Sequence, residues 1–334
     1  MHRSHVTEKA LNRELTAMVE GLKIRRFIKG KDEKLWLEIW NAAFKDYEDE
    51  DFRPQTMRDM EIREKDPTFD PQGMLFAELN AKPVGMVNAF IDKKREEKKG
   101  FIYSLCVLPE FRRRGIGREL VSKALRSLKE RGMETAEAEW VRGDKPACKF
   151  CESMGFSLIR VQSDMGAKLD KILSNIDEYK GLKIRLMKKN LGDIKLLNRL
   201  VNETFKEHFD FRPATVEETR WWVLEKPWTD IAEFYFGYLG NEAVGFVGVG
   251  IDSKFVEHCG KKRGWINTIG VLKSLRRKGV GTALILHGMK DLKSRGMTEV
   301  YLGVDDSNPT KAIELYKKVG FKVVHKYLTY LKKT

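Results

Sequence analysis

Two short basic turns, each punctuated by glycine, have the chemistry of an anion site. They are Arg112-Arg113-Arg114-Gly115-Ile116-Gly117-Arg118 and Arg276-Arg277-Lys278-Gly279-Val280-Gly281-Thr282. Each follows an apolar run and precedes a helical pattern, which places unpaired backbone N–H groups at a helix N-terminus, where the dipole adds about half a positive charge. Glycine lets a bulky phosphate approach the backbone with no Cβ in the way, and the basic side chains add full charges. A pyrophosphate suits such a turn. Neither turn has the Gly-Lys-Ser/Thr of a Walker loop, and neither has the third glycine of a dinucleotide-binding fingerprint. One copy could be a basic surface cap on a helix; two copies in matching surroundings argue for a shared task.

Those surroundings repeat in order along the chain. "GLKIR" occurs at Gly21 and again at Gly181, and "FRP" at Phe52 and Phe211. "PVGMVNAFID" from Pro83 answers "AVGFVGVGID" from Ala243, and "MGF" at Met154 answers "VGF" at Val319. The offset drifts by only a few residues, as expected of a duplicated domain with small insertions rather than of a solenoid. Each half reads as strand, helix, a polar helix-containing stretch, a hairpin, a strand running into the basic turn, a helix, then strand, helix and a β-rich tail. The helix after the first turn carries Leu120, Val121, Ala124, Leu125 and Leu128 on one face and stops at Gly132; its counterpart carries Leu284, Ile285, Met289 and Leu292 and stops at Gly296. The expected class is α+β: two tandem domains, each a mixed, largely antiparallel sheet flanked by helices. Their boundaries fall at 21–165 and 181–334, with a helical extension at 1–20 and a helical linker at 166–180.

Composition bounds the partners. In 334 residues, Lys plus Arg exceed Asp plus Glu by 63 − 49 = 14, a balance that favours anionic ligands or simply keeps the surface solvated. No helix-turn-helix, zinc finger or interleaved aromatic platform is present, so nucleic acid is not an expected partner. No run of about 18 apolar residues predicts a membrane span, and the first residues lack the apolar core of a signal peptide; a cytoplasmic location is expected. Four cysteines, at 106, 148, 151 and 259, are too few for a disulfide framework. Cys148 and Cys151 have CxxC spacing with no second pair, and read as small residues one helical turn apart; no metal site is expected.

With "LCVLPEF" or "IGVLKSL" before the turn and "AIELYKKVGF" some forty residues later, the chain resembles the GNAT superfamily of N-acetyltransferases, over essentially both halves and better over the second. The tandem arrangement is similar to two-domain acetyltransferases of the mycothiol synthase type. The resemblance implies acetyl-CoA as donor, with its pyrophosphate on the turn and its pantetheine paired to the strand before it, here Leu105, Cys106 and Val107 or Ile269, Gly270 and Val271. It also implies a tyrosine acid in "LYxxxGF", which is Tyr316, and an asparagine ahead of that helix, Asn308. A thiol of pKa about 8.5 and a phenol of about 10 are matched well enough for the proton transfer, and a backbone N–H near Val271 can donate to a developing oxyanion.

The first half has Cys151 where the second has Tyr316, and Gly143 and Asp144 in place of the asparagine, so it is expected to be non-catalytic. The general base stays open among Glu257, His258, Asp305 and Asp306, because "WINTIGV" holds no glutamate. Glu137 and Glu139 share a strand face and could line a cleft or meet solvent. Trp221, Trp222 and Trp228 fall where the family builds its acceptor pocket, whereas Trp36 and Trp40 read as core. The function so implied is acetyl transfer to a primary amine by direct attack in a ternary complex, with a small-molecule acceptor. The alternatives are a protein N-terminal or lysine acetyltransferase, or a non-catalytic acyl-CoA sensor.

Overall fold

The computed structural model describes residues 19–171, 179–225 and 231–334. The first repeat runs β1 (Leu22–Arg26), α1 (Glu33–Glu48), α2 (Met57–Glu64), β2 (Met74–Leu79), β3 (Lys82–Ile91), β4 (Lys99–Val107), α3 (Ile116–Glu130), β5 (Thr135–Arg142), α4 (Ala147–Ser153) and β6 (Ser157–Lys168). The second runs β7 (Leu182–Leu186), α5 (Leu191–Phe205), α6 (Val216–Leu224), β8 (Ile231–Leu239), β9 (Glu242–Ile251), α7 (Ser253–Cys259), β10 (Arg263–Val271), α8 (Val280–Ser294), β11 (Glu299–Asp305), α9 (Ala312–Lys318) and β12 (Lys322–Lys333). The α+β reading holds, with every strand pairing between β7 and β10 antiparallel.

Local chemistry accounts for the repeated words. In "FRP", Arg53 and Arg212 each fork onto an acid that closes a helix start: Arg53 on Asp59 at 3.0 Å and Arg212 on Glu218 at 2.8 Å. The same acids accept the backbone N–H of Thr56 and Thr215 at 2.7 Å, so both words are capping boxes with an arginine clamp. "GLKIR" is likewise a strand whose arginine reaches the next helix start, Arg25 to Asp32 and Arg185 to Asp193. The β2–β3 hairpin turns on Asn80 and Ala81, both at positive φ, as a two-residue turn matched to strand twist requires.

Packing divides the chain at other places than the repeat does. One compact unit takes the described residues up to Asp46, Asp70–Glu137 and Lys333–Thr334; the other takes Tyr47–Phe69 and Ala138–Lys332. In the first unit β1 to β4 pair in sequence order, and the buried side of α3 (Leu120, Val121, Ala124, Leu128) lies on β3 and β4. In the second, the strand order is β12-β6-β11-β10-β9-β8-β7. The last strand of the first repeat, β6, therefore lies between two strands of the second. Gly166–Lys168 belong to β6 and pair with Glu299–Tyr301, which corrects the helical reading of the linker at its start. Its apolar Ile172, Leu173 and Ile176 lie outside the described residues, as do Leu11, Leu15 and Met18 of the expected N-terminal helix.

The second unit has a core on each sheet face. Val247, Val249, Ile266, Val300, Leu302 and Met165 meet α8 and α9 on one side. Phe234, Phe236 and Phe246 meet α5 and α6 on the other. Among the described residues no helix is long and apolar enough to cross a membrane.

Candidate active site

The second basic turn follows β10 through a 3-10 turn at Lys273–Leu275 and enters α8. Arg277 has φ 63° and Gly279 φ 95°, so the chain passes twice through the left-handed region before the helix begins; at Gly279 only glycine avoids strain. Arg276 does not face outward. Its Nε donates to Val271 O at 3.1 Å, its Nη2 to Thr204 O at 2.9 Å, and its Nη1 pairs with Glu207 at 2.7 Å. It brackets the turn against the strand end and the last turn of α5. Arg277, Lys278 and Gly279 are exposed, while Val280 is buried. Thr282, partly buried, lies in the first turn of α8.

The first turn has the same geometry in its own unit. Arg113 has φ 64° and Gly115 φ 86°. Arg112 Nε donates to Val107 O and its Nη2 to Ala43 O, both at 3.0 Å. Arg114 folds back onto Glu110 O and the Phe111 ring; Ile116 is buried, and Gly117 and Arg118 occupy the helix's first turn.

Beside the second turn the sheet opens. Strands β10 and β11 pair in parallel only at Arg263–Glu299, Gly264–Val300 and Trp265–Tyr301. Beyond them β10 continues to Val271 against β9, with a register shift at Asn267, and β11 continues to Asp305 against β6. Ile269, Gly270 and Val271 thus lie beside a gap that ends at the glycine turn. Glycine is needed along its floor: a Cβ at Gly245 would lie 2.6 Å from Gly270 O, and one at Gly270 would lie 2.4 Å from Thr204 Oγ1.

Helix α9 closes the other side of the turn, since a Cβ at Gly281 would lie 3.4 Å from Leu315 Cδ2. The next residue, Tyr316, is buried to 6% exposure, and burial alone pushes its hydroxyl up to about 12. It is therefore a protonated donor across the physiological range. The Asn308 side chain accepts from Thr310 N at 2.9 Å and Thr310 Oγ1 at 2.6 Å, shaping the turn into α9. In the first repeat Cys151 is also buried, and desolvation pushes its thiol up to about 12.

The base candidates fare unequally. Glu257 and His258 are exposed on α7. Asp305 is held by Arg160 Nε at 2.9 Å, and Asp306 by Ser163 at 2.6 Å and Lys326 at 3.0 Å. Glu137 is not at a solvent face: it is buried and paired with Lys99 at 2.9 Å. Trp222 packs on Phe234, Trp221 keeps its indole N–H buried, and Trp228 lies outside the described residues. Trp36 and Trp40 are buried, as expected of core. All four cysteines are free.

Three polar residues escaped the sequence reading: Arg160, Asp164 and His208. The His208 ring packs at a tilt against Phe205 near Arg276, and burial, then the Arg276 charge, lower its pKa. Arg160 and Asp164 stand on β6, in the first half of the sequence, so nothing in the second half's pattern pointed to them.

A gap between two parallel-starting strands, a bracketed glycine turn at its end and a buried tyrosine behind it can hold an acyl thioester and protonate a leaving thiolate. The comparisons agree with acyl transfer as the general activity. The family model described as "Acetyltransferase (GNAT) family" matches residues 35–156 and 196–321. A mycothiol acetyltransferase of Stackebrandtia nassauensis is 36% identical over 157 residues, 46% of this chain and 50% of that protein. One of Streptomyces coelicolor is 31% identical over 137 residues, 41% of this chain and 43% of that protein. The chain thus spans about half the length of the curated relatives it matches. The tandem GNAT protein from the clavulanic acid biosynthesis pathway shares the fold with TM-score 0.71 at 16% identity, over 93% of this chain and 98% of that one. A GCN5-related N-acetyltransferase from Sphaerobacter thermophilus does so with TM-score 0.67 at 20% identity, over 94% of this chain and 96% of that one. By these two matched regions, the chain belongs to the GNAT acetyltransferase family.

Proposed function

We propose that the chain is an acetyl-CoA-dependent N-acetyltransferase with its activity in the second repeat, residues 181–334, and that the first repeat, residues 21–165, is non-catalytic. The acetyl group goes to the primary amine of a small molecule by direct attack, with donor and acceptor bound together. The observation that carries this reading is the divergence of β10 from β11 beyond Trp265 and Tyr301, opening onto the Gly279–Gly281 turn. A small acceptor is supported by the names of the matched relatives, which are mycothiol acetyltransferases.

The residues fit the donor: the turn takes a left-handed glycine at 279, where a Cβ would also press on the Tyr179 ring, and the strand edge beside it is unpaired with β11. Arg277, Lys278 and the backbone N–H groups of Gly279, Val280, Gly281 and Thr282 would hold the pyrophosphate, with Arg276 and Asn308 setting the turns on either side. Ile269, Gly270 and Val271 would pair with the pantetheine amides. Bound acetyl-CoA supplies an activated acyl group. The N–H near Val271 gives the acyl oxygen a donor, and Tyr316 keeps a proton ready for the departing sulfur.

Native mass spectrometry of the full chain titrated with acetyl-CoA tests this, alongside Gly279→Glu and Gly115→Glu variants. Loss of one equivalent in Gly279→Glu supports the reading, and Gly115→Glu reports whether the first turn holds a second. Absence of binding to the parent protein would overturn it.

A further inference from the structure

On the sheet face opposite the α8–α9 core, the second unit carries a carboxylate that its neighbours do not hold. Along β11, Val300, Leu302 and Val304 enter that core, so Tyr301, Gly303 and Asp305 face the other way; on β6, Met165 enters it and Asp164 faces away. Register sets Asp164 between Gly303 on β11 and His325 on β12. A Cβ built at Gly303 would lie 3.4 Å from Asp164 Oδ1, so the absent side chain leaves the space over this carboxylate open.

Asp305, two residues further along the same face, shows what a satisfied acid looks like there, with Arg160 Nε at 2.9 Å and Ser307 N at 2.8 Å. Among the described residues no hydrogen bond or ion pair reaches the Asp164 carboxylate. The charged groups around it are Arg263 on β10, Arg142 on β5 and Asp51 after α1, and the titratable His325 stands opposite it on β12, its pKa lowered by burial. Both guanidiniums have other partners: Arg263 pairs with Asp51 at 3.1 Å and lies 3.9 Å over the Tyr301 ring, and Arg142 forks onto Asp144. Desolvation therefore outweighs the arginine charges and raises Asp164 to about 6. A mostly buried carboxylate without donors is costly and calls for a partner. Gly303 stands two residues past the last parallel pair, Trp265–Tyr301, on the strand that bounds the opening, and those two rings lie 5.6 Å apart beside it.

The geometry points to Asp164 as the residue that receives the acceptor: a small molecule whose amino group docks as an ammonium over Gly303, against the carboxylate and beside the Tyr301 and Trp265 rings, and gives up one proton to solvent before its nitrogen attacks the thioester. This rests on the acetyltransferase reading above. The acceptor site so built draws on both halves of the sequence, Asp164 from the first repeat and Trp265, Tyr301 and Gly303 from the second.

Steady-state kinetics of the full chain with acetyl-CoA and three probe amines (glucosamine, spermidine and tryptamine) test it, comparing the parent with Asp164→Asn and Asp164→Glu. For an amine that the parent acetylates, Asp164→Asn raises its KM roughly tenfold to a hundredfold, the loss expected for a charged hydrogen bond. The KM for acetyl-CoA stays unchanged and kcat falls by less than about threefold. The parent's kcat/KM declines as pH falls through about 6, and that limb vanishes in Asp164→Asn; Asp164→Glu keeps it. Gly303→Val, which fills the space instead of removing the charge, raises the same KM and covers the case in which the Asn variant fails to fold. Unchanged amine KM and pH limb in folded variants overturn the assignment. Acetyl-CoA binding with no turnover on any of the three amines also overturns it, while leaving the donor site standing. No acetyl-CoA binding at all removes both readings.

Discussion

The two basic turns are nearly the same object, whereas their surroundings differ. Both run through a left-handed arginine and a left-handed glycine, and both are bracketed by an arginine reaching one strand carbonyl and one helix carbonyl. The floor has been repacked as a set. Where β10 has Gly270 with Thr204 and Phe246 pressed against it, β4 has Cys106, facing Met86 in register, and the helix carbonyl comes from Ala43. A larger strand residue thus goes with smaller or more flexible neighbours, as a close-packed interior demands. The cover differs too: Val19 approaches Gly115, and the Tyr179 ring approaches Gly279 at 3.2 Å from a would-be Cβ. At the sequence position that Tyr316 takes in the second repeat, the first repeat has Cys151. The bracketed turn closes a helix start in both repeats, whereas Tyr316 packs in the second repeat's core against Phe321.

The comparison can be broken most severely at its shared element. Gly279→Glu places a carboxylate in an anion cradle and a side chain at φ 95° against Tyr179, and is expected to weaken acetyl-CoA binding roughly a hundredfold or more. Isothermal titration beside Gly115→Glu shows whether the two turns respond alike.

Tyr316→Phe tests the element that differs. Turnover on a competent amine is expected to fall about tenfold to a hundredfold with acetyl-CoA affinity intact, while Cys151→Ala leaves turnover within about twofold. Equal losses in both would contradict the division of labour.

The brackets come next. Arg276→Ala frees Val271 O and Thr204 O and leaves Glu207 without that partner, so acetyl-CoA affinity should drop about fivefold to tenfold. Arg112→Ala should destabilise its own unit by a similar amount, read by hydrogen exchange in α3, without changing turnover.

The smallest effect concerns acid stability. Burial pushes Glu218 up, but the Arg212 and Thr215 bonds outweigh it and hold the carboxyl at about 2. A depressed acid stabilises the fold above its unfolded value of about 4.5 and loses that contribution as pH falls toward 2. Glu218→Gln should therefore flatten the acid limb of a thermal-denaturation series between those values, by about 1 kcal/mol or less after solvent screening. A similar change on Asp59→Asn would show that the two arginine-clamped capping boxes are equivalent.

The sequence by itself determined the duplication, the two basic glycine turns at helix starts, the buried faces of the helices that follow them, and the position of Tyr316 against Cys151. Apart from the duplication, which shows as matching words in the two halves, these are local facts, fixed by glycine, by helical period and by residue chemistry within a dozen positions. It could not determine which strand lies beside which: β6 reads as the tail of the first repeat, yet it pairs with β11 and β12 across more than 130 residues of chain. A period of two tells which face a residue takes but not whose face it meets. That is why the bracket made by Arg276, the hold of Arg160 on Asp305, and the open carboxylate of Asp164 over Gly303 became visible only in the tertiary structure.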